Sequence, residues 1–369
     1  MILGIDISTY LEELAAGAKY YKDGKIVDPI EIFQNQGVTY FRIRVWNDPY
    51  KEDKPYLGGT NDVAKFIELA NIAKKYGCKV ILDLHYSDFW ADPGKQMTPK
   101  AWKGLSFEQI LVEVDKFTKY VLTVAKENDI EIDYIQVGNE ITNGMIWPYG
   151  KLDESISPRG NYENLSKILI AGINASKEIY ENIKIIIHLE RSYDHHIYKE
   201  YFDNIIKNGV EFDIIGMSYY PYWHGNFEEF FGNVNMCQKR YNKDIMVMEL
   251  GYGFTLEDYI LNNNGETHLV INEDNSKEML AKLPSPISKD GQAYFVKEFL
   301  RLAKENGILG VVYWEPLWIP GDNICWASLE GQEYINEVGK SFRNEWANQC
   351  LFDYEGNANP ALDYFRIED

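Results

Sequence analysis

The 369-residue sequence predicts an α/β protein folded as a single (β/α)8 TIM barrel with an extended loop after strand 7. Three observations carry this expectation. Short β-branched runs alternate with longer amphipathic stretches from one end to the other. The β-like runs number eight, the strand count of such a barrel. No Pro/Ser-rich linker, low-complexity tract or repeat interrupts the chain, so residues 1–369 read as one catalytic domain, although length alone allows two.

The strands are expected at residues 2–8, 39–46, 79–86, 134–140, 184–190, 213–220, 244–250 and 310–316. A short helix near 29–36 fills the first slot. The helix over 61–77 opens on Asn61-Asp62 and closes on Lys74-Lys75-Tyr76-Gly77, as helix ends should. The helix over 106–128 opens Ser106-Phe107-Glu108-Gln109, and others follow at 161–180, 196–209, 227–241 and 290–306. Asn208-Gly209 and Asn306-Gly307 have the form of C-caps. The longest gap between strands runs from Leu250 to Gly310. Its first half, 257–286, is polar and poorly periodic, and reads as an inserted loop.

Charge and composition narrow the function. The net charge is −20, which argues against nucleic acid and anionic membranes as partners. No run of 18 apolar residues occurs, so no membrane span is expected. The N-terminus, Met1-Ile2-Leu3-Gly4-Ile5-Asp6, lacks a basic segment and a long apolar stretch, and reads as a strand. A cytoplasmic location is expected, or an extracellular one if a leader has been removed. Cys78, Cys237, Cys325 and Cys350 are scattered and read as buried thiols, with Cys325–Cys350 the one pairing to check.

Active sites of such barrels form at the C-terminal strand ends. Glu140 ends strand 4 and Glu249 ends strand 7, about 36 residues per intervening βα unit. Two carboxyl groups facing across a cleft are the equipment for glycoside hydrolysis, one protonated as the acid and one ionised as the nucleophile. Asn139 beside Glu140 suits a sugar hydroxyl, and Arg44 is expected to keep Glu249 ionised. Trp46, Trp90, Trp102, Trp147, Trp223, Trp314, Trp318 and Trp326 fall at or after strand ends, whereas Trp346 does not. That clustering predicts a stacking groove for sugar rings. His85, His188 and His224 share this face, but no His-x-His ends strand 1, so no catalytic metal is expected. A nucleophile elbow, a dinucleotide fingerprint and a P-loop are absent.

Longer motifs stand around these residues. They include Phe41-Arg42-Ile43-Arg44-Val45-Trp46-Asn47-Asp48-Pro49 and the run from Asp83-Leu84-His85-Tyr86 through Ser87-Asp88-Phe89-Trp90 to Gly94-Lys95-Gln96. Gln136-Val137-Gly138-Asn139-Glu140, Ser218-Tyr219-Tyr220-Pro221-Tyr222-Trp223-His224-Gly225 and Val312-Tyr313-Trp314-Glu315-Pro316 follow. Over nearly the whole chain these resemble glycoside hydrolase family 53, the endo-β-1,4-galactanases. The resemblance implies a retaining hydrolase of β-1,4-galactan, the side chains of pectin and type I arabinogalactan. In it Glu140 is the acid/base and Glu249 the nucleophile, and Arg44, His85, Asn139, Tyr219 and Trp314 line the central subsite. Asp88 and Trp90 stand nearby, and Trp223 and His224 are counted with the substrate-binding residues.

The resemblance also implies no catalytic cofactor, a neutral galactan or galacto-oligosaccharide as partner, and a monomer. Some relatives bind a structural calcium after strand 7, where this chain carries Asp258, Asn262, Asn263, Asn264 and Glu266 without a regular calcium pattern. The chain departs from the family at Glu249-Leu250-Gly251-Tyr252 and at Leu189-Glu190-Arg191-Ser192-Tyr193. Another neutral β-glycan as substrate, or a non-catalytic carbohydrate-binding barrel, are the alternatives.

Overall fold

The computed structural model describes residues 1–260, 267–272, 278–340 and 342–367. Eight parallel strands close into a ring: β1 (Ile2–Asp6), β2 (Tyr40–Val45), β3 (Lys79–Leu84), β4 (Ile132–Val137), β5 (Lys184–Leu189), β6 (Ile214–Tyr219), β7 (Asp244–Leu250) and β8 (Gly310–Tyr313). Neighbours in the ring are neighbours in sequence, and β8 pairs with β1 to close it. The expected helices stand between the strands: α1 (Pro29–Asn35), α2 (Val63–Lys75), α3 (Phe107–Glu127), α4 (Tyr162–Ile179), α5 (His195–Lys207), α6 (Phe227–Tyr241) and α7 (Lys289–Glu305). A full capping box starts α3 at Ser106, as the Ser-Phe-Glu-Gln opening predicts, and a second starts α6 at Asn226.

Burial follows strand parity. Alternate side chains point inward, so Ile81, Ile186, Ile214, Met246, Met248 and Val312 fill the lower barrel as a core of their own. The opposite faces pack under the helices in one large apolar layer. Gly216 keeps the inner layer closed, since a Cβ there would sit 2.8 Å from both Ile186 Cγ2 and Met248 Cγ. The upper inward positions are polar, and those carry the site.

Several ladders stop earlier than their β-branched patterns suggest. Tyr86, Glu140, Arg191 and Glu315 lie two or three residues beyond the ends of β3, β4, β5 and β8. All four have positive φ, between 46° and 54°. A left-handed residue ends the extended run and turns the chain abruptly over the barrel mouth. For a non-glycine residue that conformation is uncommon and strained, and such positions concentrate at functional sites.

The four cysteines are buried and free, so the Cys325–Cys350 pairing is not made. Among the described residues no helix is long and apolar enough to cross a membrane. Residues 261–266 and 273–277 of the expected loop between β7 and α7 lie outside the described residues. Its described parts are tied to the C-terminal segment, where Asn348 Nδ2 donates to the carbonyls of Thr255 and Ile271.

Gly138 connects β4 to Asn139-Glu140 at φ +90°, and a Cβ there would lie 2.8 Å from Ile141 Cγ2. Gly138→Ala is expected to lower stability by about 1–3 kcal/mol in urea unfolding, since it adds both φ strain and a clash. An unchanged midpoint would show that the turn relaxes freely.

Candidate active site

The inward parity of each strand continues past its end and delivers polar groups to the barrel mouth. It gives Asp6 from β1, Arg42 and Arg44 from β2, and Asp83 and His85 from β3. It also gives Gln136 from β4, His188 and Glu190 from β5, and Ser218 and Tyr220 from β6. β7 would send Met246, Met248 and Leu250 inward. A register irregularity between Val247 and Leu250 instead releases Glu249 into the mouth. Of these groups, Arg42, Arg44, His85, Glu190, Tyr220 and Glu249 line a cleft of about 640 Å³.

Arg42 is the centre of the network. It is buried and reaches five partners on four other strands or their ends. Its Nη1 donates to Asp6 Oδ2 at 2.9 Å, and its Nε donates to Gln136 Oε1 at 2.8 Å. Its Nη2 lies 2.9 Å from Asp83 Oδ2, 2.8 Å from Asn139 Oδ1 and 3.1 Å from Glu249 Oε1. Tyr220 Oη donates to the other Glu249 oxygen at 2.8 Å. The expectation that Arg44 serves Glu249 is therefore corrected. Arg44 Nη1 pairs with Glu315 at 2.5 Å, and its guanidinium lies 4.2 Å from the centre of the Trp90 ring. One pleat deeper, Arg42 has the reach to Glu249 that Arg44 lacks.

Glu140 is surrounded differently. Ser218 Oγ donates to its Oε1, and no cation pairs with it among the described residues. Burial pushes the Glu140 carboxyl well above the usual carboxylate range, and the charges of Glu249 and Glu190 push it further. Glu249 is also raised by burial, but the Arg42 charge and the Tyr220 hydrogen bond work against that. Of the two, Glu140 therefore holds a proton more strongly, and Glu249 is the one whose ionised form is favoured by its neighbours. An oxygen of Glu140 lies within 4.8 Å of one of Glu249.

His188 completes a three-donor cluster with these two carboxylates. The cluster is a poor metal seat. Both His188 nitrogens already have partners, Glu249 is paired with Arg42, and its second oxygen is held by Tyr220. A buried guanidinium 3.1 Å from one ligand would repel a cation. Asp258 does not fit a calcium either. Its Oδ2 accepts from the Thr267 hydroxyl at 2.9 Å and the His268 amide at 2.6 Å, and its Oδ1 accepts from the Ile260 amide. Asn262, Asn263, Asn264 and Glu266 lie outside the described residues.

The other expected residues divide into two groups. Arg44, His85, Trp90, Asn139, Trp223, His224 and Trp314 line the cleft. His224 Nδ1 accepts from the Tyr220 amide at 3.1 Å, and burial pushes its pKa down to about 3, so it is neutral with its proton on Nε2. Tyr219 and Asp88 do not line the cleft, and both expectations are corrected. Parity turns Tyr219 outward under the helices, where its ring packs 4.4 Å from Phe230 and 5.1 Å from Phe299. Its neighbour Tyr220 takes the inward place. Asp88 is buried within the loop after β3, where its Oδ2 accepts from the Lys100 amide at 2.7 Å and burial pushes its pKa up to about 6.

The tryptophan groove exists with altered membership. Trp90, Trp314, Trp318 and Trp346 form one wall, with Trp314 and Trp346 ring centres 4.7 Å apart, and Trp326 stands beside them. Trp223 stands 40% exposed at the rim, presenting an open aromatic face. Trp46 and Trp102 are buried in the core, and Trp147 does not line the cleft. Trp346, set apart in the sequence, belongs to the wall because the C-terminal segment folds back over the mouth. The Leu351 amide bonds to Pro316 O, and Asn344 Nδ2 bonds to Trp318 O. In the sequence, His188 is legible only as a residue of this face, and nothing local marks Arg42 as the partner of Glu249 or Tyr220, Ser218 and Gln136 as members of the site. Strand parity was the signal that could have found them.

Comparison with known proteins agrees with this geometry. A family model described as Glycosyl hydrolase family 53 matches residues 2–365. An endo-beta-1,4-galactanase of Bacillus subtilis (strain 168) is 34% identical over 389 residues, covering 100% of this chain and 86% of the relative. An arabinogalactan endo-beta-1,4-galactanase A of Aspergillus niger is 30% identical over 327 residues, covering 86% and 85%. Among solved structures, the Ignisphaera aggregans GH53 catalytic domain superposes with a TM-score of 0.86 at 36% identity. It covers 99% of this chain and 95% of that one.

The opposed surroundings of the two carboxylates can be read without any substrate. In a carbon-13 NMR titration of labelled glutamate, Glu140 is expected to stay protonated above the range of the surface carboxylates. Glu249→Gln removes a like charge and is expected to move the Glu140 titration to lower pH. An upward movement, or none, would contradict the coupling.

Proposed function

The chain belongs to glycosyl hydrolase family 53, and from that membership we propose that it is a retaining endo-β-1,4-galactanase acting on galactan and type I arabinogalactan. Glu249 is the nucleophile and Glu140 the acid/base. The observation that carries this reading is the carboxylate pair, with oxygens within 4.8 Å of each other in opposed electrostatic surroundings. That spacing fits the short separation, roughly 5–5.5 Å between carboxyl groups, through which a sugar is attacked directly. The inverting alternative needs roughly 6.5–9.5 Å to admit a water between them.

The geometry performs the reaction in two halves. Glu249, kept ionised by Arg42 and Tyr220, attacks the anomeric carbon while Glu140 hands its proton to the departing glycosidic oxygen. The product is a glycosyl–enzyme ester on Glu249, and Glu140 is left as a carboxylate. Glu140 then takes a proton from water as that water attacks the same carbon, and Glu249 is released with the original anomeric configuration. The tryptophan wall gives apolar sugar faces a stacking surface, and the open cleft suits a chain that is cut internally. Two carboxylates perform this chemistry without a catalytic cofactor. A neutral chain suits a protein of net charge −20, and we read the protein as a monomer.

Purified protein is expected to release short oligosaccharides from unbranched β-1,4-galactan, with the first-formed product in the β configuration by proton NMR. Release from a mannan or glucan with none from galactan would overturn the substrate. Glu249→Gln is expected to lower turnover by roughly 10⁴-fold or more. Tyr220→Phe removes a hydrogen bond that favours ionised Glu249, so its carboxyl protonates at higher pH. The acidic limb of kcat/KM is therefore expected to move to higher pH, and a limb that stays or moves lower would count against the role of Glu249.

A further inference from the structure

Glu140 stands just beyond the end of β4 and Glu249 near the end of β7, so the line between them divides the barrel mouth. The scissile bond must cross that line, with the attacked sugar in one half and the leaving group in the other. The half at β8, β1, β2 and β3 is closed by the tryptophan wall, in which Trp318 and Trp346 are buried. The half at β5 and β6 is open, and there Tyr193 and Trp223 are each 40% exposed. A leaving sugar must depart while the attacked one stays bonded to the enzyme, so the open half suits the leaving group.

Arg191 is the cation of the open half. It belongs to Leu189-Glu190-Arg191-Ser192-Tyr193, a stretch in which the chain departs from the family it resembles. Its φ of 54° turns the chain over the mouth directly after Glu190. Arg191 Nε lies 3.1 Å from Glu190 Oε1, and Nη2 lies 3.7 Å from Glu154 Oε1. Glu190 is itself fixed, because its other oxygen accepts from the buried Thr142 hydroxyl. The guanidinium is thus braced by two carboxylates while 33% of the side chain stays exposed. Those contacts occupy only part of a fork with five N–H donors. Two carboxylates against one guanidinium leave no excess positive charge, so the fork suits the hydroxyls of a neutral sugar better than an anion. Tyr193 packs against the turn at Gly225, where an added Cβ would lie 3.1 Å from Tyr193 Cβ. That contact joins the β5 turn to the loop that carries Trp223.

We propose that Arg191 binds the hydroxyls of the leaving-group sugar, with Tyr193 and Trp223 as the aromatic rim of that site. This rests on the reading of Glu140 and Glu249 as the catalytic pair. Glu190 is a positioning residue that orients Arg191. The site makes a sugar on the leaving side part of what the enzyme recognises. By microscopic reversibility it also receives a sugar that takes the place of water in the second half-reaction. A hydroxyl oxygen of that sugar then bonds to the anomeric carbon as the ester bond to Glu249 breaks. The hydroxyl proton goes to Glu140, and a longer chain is formed.

The test compares galactotetraose, cut to two galactobioses, with phenyl β-1,4-galactobioside. Both leaving groups need the Glu140 proton, but only one of them carries sugar hydroxyls. Arg191→Ala is expected to lower the ratio of kcat/KM on galactotetraose to that on the phenyl substrate. The expected drop is on the order of 10-fold or more, the scale of a hydrogen bond to a charged group. Arg191→Lys keeps the charge beside Glu190 but loses the planar fork, and is expected to recover only part of the ratio. With 2,4-dinitrophenyl β-1,4-galactobioside as donor and galactobiose as acceptor, Arg191→Ala is also expected to lower the yield of galactotetraose relative to hydrolysis.

The failures are separable. Turnover of neither substrate by the unsubstituted protein would remove the proposed function. Turnover of both, with equal losses or none in Arg191→Ala, would leave that function standing and overturn the Arg191 site. A ratio in Arg191→Lys equal to that of the unsubstituted protein would overturn it too, even if Arg191→Ala did not fold.

Discussion

The active site depends on one buried cation. Arg42 sits at the top of the barrel where β1, β2, β3 and β4 and the end of β7 come within reach of a single guanidinium. Its five partners include three carboxylates, Asp6, Asp83 and Glu249, so it cannot neutralise all of them. A charge buried this deeply is tolerated only when paired and hydrogen-bonded on every side. That requirement locks the strand ends together and gives the mouth of the barrel a fixed shape. It also creates the asymmetry on which the chemistry turns. Glu249 lies against the cation and Glu140 does not, so two carboxyl groups of one type acquire different proton affinities.

Arg44 and its surroundings repeat the pattern at the next inward position with a different outcome. Its partner Glu315 has its pKa pushed up to about 8 by burial, despite the ion pair. Thr9 supports the same carboxylate from the end of β1, and the guanidinium stacks on Trp90. This second pair braces the tryptophan wall and leaves Glu249 to Arg42. The two arginines, one pleat apart, therefore divide the work between charge control and shape.

Most of the architecture is legible in the sequence because it follows from local pattern. Eight β-branched runs, helix caps such as Ser106, and the absence of a linker suffice for the barrel. The pair Glu140 and Glu249 is legible because both stand at strand ends with aromatic and amide neighbours. What escapes is what strand phase decides. Tyr219 and Tyr220 are chemically equivalent in the sequence, and only inward parity at β6 distinguishes the cleft residue from the one packed on Phe230. Glu249 breaks parity altogether, through an irregularity between β7 and β8. Trp346 escapes for another reason, since it arrives by tertiary return of the C-terminal segment. Ser218 opens a motif that does not mark it as a contact of Glu140, which only the folded structure shows.

The central claim is that Glu249 forms a covalent bond to the sugar. A 2,4-dinitrophenyl 2-deoxy-2-fluoro-β-galactobioside would test it most directly, because the fluorine slows both half-reactions while the activated leaving group favours the first. Mass spectrometry of the protein is expected to show one added glycosyl unit, located by peptide mapping at Glu249. Labelling at Glu140, or turnover that never leaves the sugar attached, would contradict it.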